Sequence, residues 1–162
     1  MNKLKYIKGD VLDPKHKFHA ILHCANCQNT MGSGIAKSIR EKYPKVYDAD
    51  TFAAKQGLNV LGNISFYKTD IGFIVNMYGQ NFYGVGIRQL NYEAIYSALE
   101  KVIATLLEVD KVSLEDRPIR IGIPYKMGCD RAGGEWSIVE AMIKHVFNYD
   151  IFEVTIVEWD GN

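Results

Sequence analysis

The amino-acid sequence predicts an α/β fold in which a mixed, largely parallel sheet carries helices on both faces. Three observations lead there. Short apolar runs of strand length alternate along the chain with segments of helical periodicity, the pattern of strand–helix crossover units. The segment 91–109 places Ala94, Ile95, Ala98, Leu99, Val102, Ile103 and Leu106 at helical spacing, so one face of a long helix is committed to a core. Two strand-like runs each lead into a glycine-bearing polar loop and then into another helical segment.

In chain order, a short strand begins at Tyr6 and Ile7 and ends at Gly9 and Asp10. Residues 17–24 (KFHAILHC) read as a buried strand, apolar at Phe18, Ala20, Ile21 and Leu22. A polar loop follows over 26–34, then a helix over 35–43 that Pro44 ends, because proline does not continue a helix. A second short helix is expected over 47–55. Residues 63–68 and 72–78 read as strands joined by a turn at Asp70, Ile71 and Gly72. The loop 79–86 leads to the long helix. Residues 119–124 form a strand, 125–134 a second glycine-bearing loop, 136–147 a helix and 152–158 (FEVTIVE) the last strand.

The 162 residues suffice for one domain with its own core, and no linker or repeat divides them, so a single domain over 1–162 is expected. Lys and Arg number 19, as do Asp and Glu. The excess of positive charge that draws a protein onto a phosphate backbone is missing, and general nucleic-acid binding is not expected. Cys24, Cys27 and Cys129 are an odd set that suits a reducing compartment better than a disulfide framework. Cys24 and Cys27 form C-x-x-C, but no second pair follows to complete four zinc ligands, and no metal is expected. Cys24 then reads as a small strand residue and Cys27 as a loop residue. No apolar run has signal-peptide character, and none approaches the roughly 20 residues of a membrane span. A cytoplasmic protein without membrane attachment is expected.

The two loops share a design. Asn26 to Gly34 (NCQNTMGSG) and Pro124 to Gly134 (PYKMGCDRAGG) each sit between a strand and a helix. Glycine lets the backbone turn tightly and approach a ligand, and the following helix offers free N–H groups at the positive end of its dipole. Each loop suits phosphate, and two at the strand ends of one open sheet suit a diphosphate. Tight turns alone would also account for the glycines. Neither loop is a full G-x-G-x-x-G fingerprint, and no G-K-[ST] appears.

Three motifs in order give a more specific signal. Gly9-Asp10-Val11, His23-Cys24-Ala25-Asn26 followed by Gly32-Ser33-Gly34-Ile35-Ala36, and Gly128-Cys129-Asp130-Arg131-Ala132-Gly133-Gly134-Glu135-Trp136 together resemble the signature of the macrodomain family. Asn76-Met77-Tyr78-Gly79-Gln80 and Arg88-Gln89-Leu90-Asn91-Tyr92-Glu93 are similar to the branch containing the yeast ADP-ribose-1''-phosphate phosphatase and the terminal ADP-ribose protein glycohydrolase. The resemblance implies a three-layer α/β/α architecture and a cleft for ADP-ribose or a derivative, with no cofactor. It implies that Asp10 accepts a hydrogen bond from the adenine amino group, and that Gly9 and Val11 flank it. Met31, Gly32, Ser33, Gly34 and Ile35 would form one phosphate loop, and Met127, Gly128, Cys129, Asp130, Arg131 and Ala132 the other. This chain also departs from the pattern. His23 stands where the family commonly has asparagine. The glycohydrolase's catalytic lysine would fall at Gly79 or Gln80 and its aspartate near Ala132, so a lysyl intermediate is not expected. Asp130-Arg131 replaces the usual Gly-Leu.

Individual residues keep alternatives open. Asp10 either holds adenine or caps the turn after its strand. Asn26 either orients the distal ribose or bonds its own loop. His23 is an acid, a base or a phosphate contact, or else a hydrogen-bonded core histidine. Gln80 and Asn81 line the distal site or satisfy their loop, and Phe82 or Tyr83 stacks on a ribose or adenine face. Arg88 and Tyr92 anchor the helix start. Asp130 and Arg131 form an ion pair, or Arg131 reaches a terminal phosphate. The expected function is binding of ADP-ribose, with removal of the terminal phosphate of ADP-ribose-1''-phosphate by a water nucleophile among His23, Asn26 and Gln80. Cys24 and Cys129 are nucleophile candidates by position alone. The alternatives are a non-catalytic ADP-ribose reader and a lysine-independent hydrolase acting on ADP-ribosylated macromolecules.

Overall fold

The computed structural model describes residues 4–83, 89–108, 117–129 and 132–161. These form strands β1 (Lys5–Gly9), β2 (Ala20–Asn26), β3 (Ile64–Thr69), β4 (Gly72–Gln80), β5 (Ile119–Pro124) and β6 (Phe152–Trp159). The helices are α1 (Gly34–Lys42), α2 (Pro44–Lys55), α3 (Tyr92–Glu108) and α4 (Trp136–Val146), with a 3-10 turn at Pro14–His16.

The strands make one sheet in the order β1-β6-β5-β2-β4-β3. Every neighbouring pair is parallel except β3 and β4, which form an antiparallel edge through the turn that the sequence marks at 70–72. Side-chain alternation then sorts the two faces. Ala20 and Leu22 of β2, Phe73, Val75 and Met77 of β4, Ile119, Ile121 and Ile123 of β5, and Phe152, Val154 and Ile156 of β6 face one core. The apolar stripe of α3 and Val139, Ile143 and Val146 of α4 complete it. Ile21, Ile74 and Val157 point the other way, against Ile39 of α1 and Val46 of α2. The mixed α/β/α sandwich follows, α1 and α2 on one face and α3 and α4 on the other. Among the described residues no helix is long and apolar enough to cross a membrane.

Element edges differ from the sequence reading where local chemistry intervenes. Pro44 ends α1 but is also the first residue of α2, the one helical position that needs no N–H. The strand expected from residue 17 begins only at Ala20, because Lys17 adopts a left-handed conformation with φ 52° after the 3-10 turn. Val109, the expected end of the long helix, lies outside the described residues.

The centre of the sheet leaves no space at Gly122. A Cβ there would meet Phe18 Cδ2 and Cε2 at 2.5 Å. Gly122→Ala is therefore expected to overpack this contact and cost about 1–3 kcal/mol, a drop of several degrees in Tm, measured by thermal unfolding.

Candidate functional site

β2 pairs with β5 only at Ala20–Ile121 and Ile21–Gly122, whereas it follows β4 along its whole length. Beyond Ile21 the two central strands therefore part. The chain leaving β2 turns to α1 on one face, and the chain leaving β5 turns to α4 on the other. That arrangement opens a crevice at the carboxyl ends of parallel strands, the place where open α/β sheets take ligands. A cleft of about 850 Å³ lies there, within the ordinary range for small-molecule sites.

The first loop forms one wall with Asn26, Thr30, Met31, Gly32, Ser33 and Gly34. Asn29 and Met31 turn it through left-handed conformations, with φ 55° and 41°. Ser33 precedes α1 without a side-chain capping bond, and no acidic residue lies in the first helical turn. The leading N–H groups of α1 and its positive dipole end are thus left without a side-chain acceptor, beside the cleft. Asn26 is held within its own loop: its Nδ2 donates to Thr30 Oγ1 at 2.8 Å and its Oδ1 accepts from Gln28 N at 2.8 Å.

The second loop contributes Tyr125, Lys126, Met127, Gly128 and Ala132. It rides on Leu90. A Cβ at Gly128, whose φ is +74°, would meet Leu90 Cδ1 at 2.8 Å, and one at Gly134 would strike both Leu90 Cδ2 and the Gly128 carbonyl. The Ala132 carbonyl accepts from Gln89 N and Leu90 N at 2.8 and 3.1 Å, and Glu135 N donates to Tyr92 Oη at 2.9 Å. Tyr92 therefore ties the loop to the start of α3, beyond the helix anchor that the sequence suggests. Asn91 Oδ1 supplies the cap, accepting from Ala94 N at 3.0 Å. Asp130, Arg131 and Arg88 lie outside the described residues.

Gly9, Asp10, Val11 and Ile35 line the cleft beside the first loop, and Gln80 and Tyr83 line it after β4. Asp10 fills the turn-capping role of its two alternatives and also lines the cleft. Its Oδ1 accepts from Leu12 N at 2.9 Å and caps the turn, while its Oδ2 stays near Lys42 Nζ at 3.8 Å. Gln80 is partly engaged: its Oε1 accepts from Cys24 Sγ at 3.6 Å and its Nε2 donates to the Phe82 carbonyl at 2.8 Å.

His23 corrects the expectation of a catalytic imidazole in the cleft. It is fully buried on the α2 face of β2, and its Nε2–H donates to Asn76 Oδ1 at 2.6 Å. Burial lowers its pKa, while the Asn76 bond acts in the opposite direction. Cys129 also stays out of the cleft lining, its Sγ donating to the Met127 carbonyl at 3.4 Å. Cys24 does line the cleft, but loss of solvation pushes its thiol up to about 12, and that of Cys129 up to about 11. Neither is a thiolate nucleophile near neutral pH. Gly79 cannot carry the lysine of the glycohydrolase pattern, since even a Cβ would run into Ile95 and lie 2.9 Å from Cys24 Sγ.

Some lining residues escape the sequence reading, among them Leu12, Ser38, Lys42 and Trp159. Trp159 was detectable. It ends β6, two residues after Val157 on the same face, at the strand end where ligands sit. Lys42 gives no such signal, because its place at the cleft depends on the path of α1 back towards Asp10.

Such a crevice, walled by two glycine-bearing loops at diverging strand ends, defines an α/β domain with a ligand-sized cleft at its strand ends. No protein-family model matches the chain. It is 30% identical over 162 residues to an uncharacterised 17.5 kDa protein in the tk-vs intergenic region of Enterobacteria phage T4, covering 97% of each chain. It is 30% identical over 110 residues to the ADP-ribose 1''-phosphate phosphatase of Saccharomyces cerevisiae, covering 63% of this chain and 61% of that one. Among solved structures, the macrodomain of Mycobacterium tuberculosis DarG superposes with a TM-score of 0.79 at 21% identity, covering 97% of this chain and 98% of that one. The chain is a macrodomain by fold, and its sequence is similar to ADP-ribose 1''-phosphate phosphatases.

The buried His23 makes a pH prediction. In the unfolded chain the imidazole takes a proton below about 6.5, whereas in the folded state it does so only at lower pH. Below that point the unfolded state binds more protons, so stability falls as pH falls. His23→Asn, which cannot titrate, is expected to flatten this slope. Urea unfolding of both proteins at about pH 7.5, 6 and 5 measures it, and equal slopes would rule out a depressed His23.

Proposed function

We propose that the chain binds ADP-ribose in this cleft and hydrolyses the terminal phosphate of ADP-ribose-1''-phosphate. One observation carries the reading: a single continuous cleft joins the Asp10 carboxylate, the uncapped start of α1 and the second glycine-bearing loop. In this reading the adenine amino group donates to Asp10 Oδ2, with Trp159 beside the base. The diphosphate lies over the first-turn amides of α1 and the Gly128 turn. Asn26, Gln80 and Tyr83 surround the distal ribose. The phosphatase name of the yeast relative supports the choice of substrate.

Chemistry in such a site rests on placement and electrostatics. A water oxygen attacks the terminal phosphorus, the bond from phosphorus to the sugar oxygen breaks, and that oxygen leaves with a proton. Oriented amides stabilise the charge on the equatorial oxygens. The amide groups of Asn26 and Gln80 place the water, and the protonated thiol of Cys24 has no covalent role.

A second reading, binding without turnover, is favoured by a specific feature. Among the described lining residues Asp10 is the one carboxylate, it pairs with Lys42, and no histidine is present. No side chain poised to exchange protons near neutrality is therefore at the distal end. Phosphate release from ADP-ribose-1''-phosphate separates the readings. Release supports the phosphatase, and tight ADP-ribose binding with no release supports the reader.

Two variants test the shared binding step by calorimetry. Asp10→Ala is expected to weaken ADP-ribose about 10- to 100-fold, the value of one hydrogen bond to a charged group, and an unchanged Kd would remove the adenine assignment. Gly32→Glu enters open space, with Thr30 O its nearest neighbour at 3.9 Å. It is expected to keep the wild-type Tm and to abolish binding by placing an anion where the diphosphate lies. A Gly32→Glu protein that binds normally reduces the first loop to a turn.

A further inference from the structure

The first loop is clamped from behind by a buried carboxylate that never reaches the cleft. Asp50 on α2 is 1% exposed and is absent from the cleft lining. Its Oδ2 accepts from Asn29 Nδ2 at 2.8 Å, and its Oδ1 accepts from Tyr78 Oη at 2.6 Å. Thr51 and Tyr47, on the same face of α2, hold Asn29 as well. Thr51 Oγ1 lies 3.2 Å from both Asn29 side-chain polar atoms, and Tyr47 Oη donates to the Asn29 carbonyl at 3.0 Å. Asn29 makes one of the loop's two left-handed turns, a conformation that asparagine adopts more readily than most residues with a side chain.

Behind Asp50 the donors run one way. His23 Nε2 donates to Asn76 Oδ1, Asn76 Nδ2 to Ser65 Oγ at 3.0 Å, Ser65 Oγ to Tyr78 Oη at 2.7 Å, and Tyr78 Oη to Asp50. This order fixes Asp50 as an acceptor at both oxygens, a role that suits a carboxylate. Two short donors on opposite oxygens then join the loop to β4 through a single group.

We propose that Asp50 is a positioning residue for the ligand cleft: it holds Asn29, and through it the loop from Asn26 to Gly34, in the ligand-ready conformation. The proposal rests on the ADP-ribose reading for its binding readout. A loop held before the ligand arrives spares the ordering cost on binding, so Asp50 acts on affinity without touching the ligand.

An exchange of charge between the two partners tests it. Asn29→Asp sets two carboxylates against each other. The like groups no longer bond, the loop is driven off α2, and ADP-ribose affinity is expected to fall about tenfold or more. The double variant Asn29→Asp with Asp50→Asn restores the geometry, the new amide donating to residue 29 and accepting from Tyr78. It is expected to recover wild-type affinity, which a merely damaged core would not do. Hydrogen exchange of the amides at 30–34 in ligand-free protein gives an arm independent of ADP-ribose. These amides are expected to exchange faster in Asn29→Asp and to regain protection in the double variant. If wild type fails to bind ADP-ribose, the functional reading falls and the exchange arm alone decides the positioning role. If Asn29→Asp does not fold, Asn29→Ala takes its place, with faster exchange and about tenfold weaker binding expected. Wild-type exchange and affinity in a folded Asn29→Asp or Asn29→Ala protein would overturn the proposal. So would a folded double variant that fails to recover.

Discussion

The parting of β2 and β5 shapes the rest of the molecule. These central strands share two paired positions and then separate, while each keeps its other neighbour: β4 beside β2, and β6 beside β5. The separation comes from where the chain must go next. After β2 it serves a helix on one face, and after β5 a helix on the other. Backbone between diverging strands cannot satisfy its polar groups across the gap, so the connections must be polar loops with their own hydrogen bonds. The cleft is thus a consequence of topology, and what remains to be specified is how each loop is held.

The two loops are held by opposite means. The second rests on an apolar contact, with Gly128 and Gly134 closing directly over Leu90, where a methyl group would already be too large. Its shape therefore depends on residues that lack side chains. The first loop depends on side chains that hydrogen-bond: Asn29 enters a pocket of Tyr47, Asp50 and Thr51, and Asn26 ties itself to Thr30 and Gln28. A buried carboxylate needs its oxygens hydrogen-bonded, and each oxygen of Asp50 accepts one short bond, one from the loop and one from β4.

The sequence carries much of this and hides the rest for identifiable reasons. The stripe from Ala94 to Leu106 is legible because helical spacing is a local property, and the apolar runs of β2 and β4 are legible for the same reason. The three motifs at Gly9, Asn26 and Gly128 point to the cleft because each loop adjoins its own strand. His23 stays open between cleft and core in the sequence, although strand parity points to the core. It shares the face of Ile21, and that face lies under α2. Asp50 is a different case. It meets Asn29 across 21 residues of chain, and an acidic residue within an ordinary helix offers no local sign of burial. Lys42 likewise becomes a cleft residue only through tertiary placement.

In the proposed reading a chain with no net charge builds a site for a strongly anionic ligand, and the source of the attraction explains how. Lys42 lines the cleft but already faces Asp10, leaving little net charge there. The stronger contribution is the backbone itself: the start of α1, with no side-chain cap and no acid in its first turn, presents N–H groups and a helix dipole to the same point. Fixed dipoles of this kind add no formal charge, create no basic surface and attract anions only at close range. A diphosphate seated between the loops, as proposed, would meet these dipoles at close range, provided the first loop keeps those amides aimed at the cleft. The neutral composition and the clamp on Asn29 are in this sense parts of one solution: amides can replace lysines only where the backbone is held still.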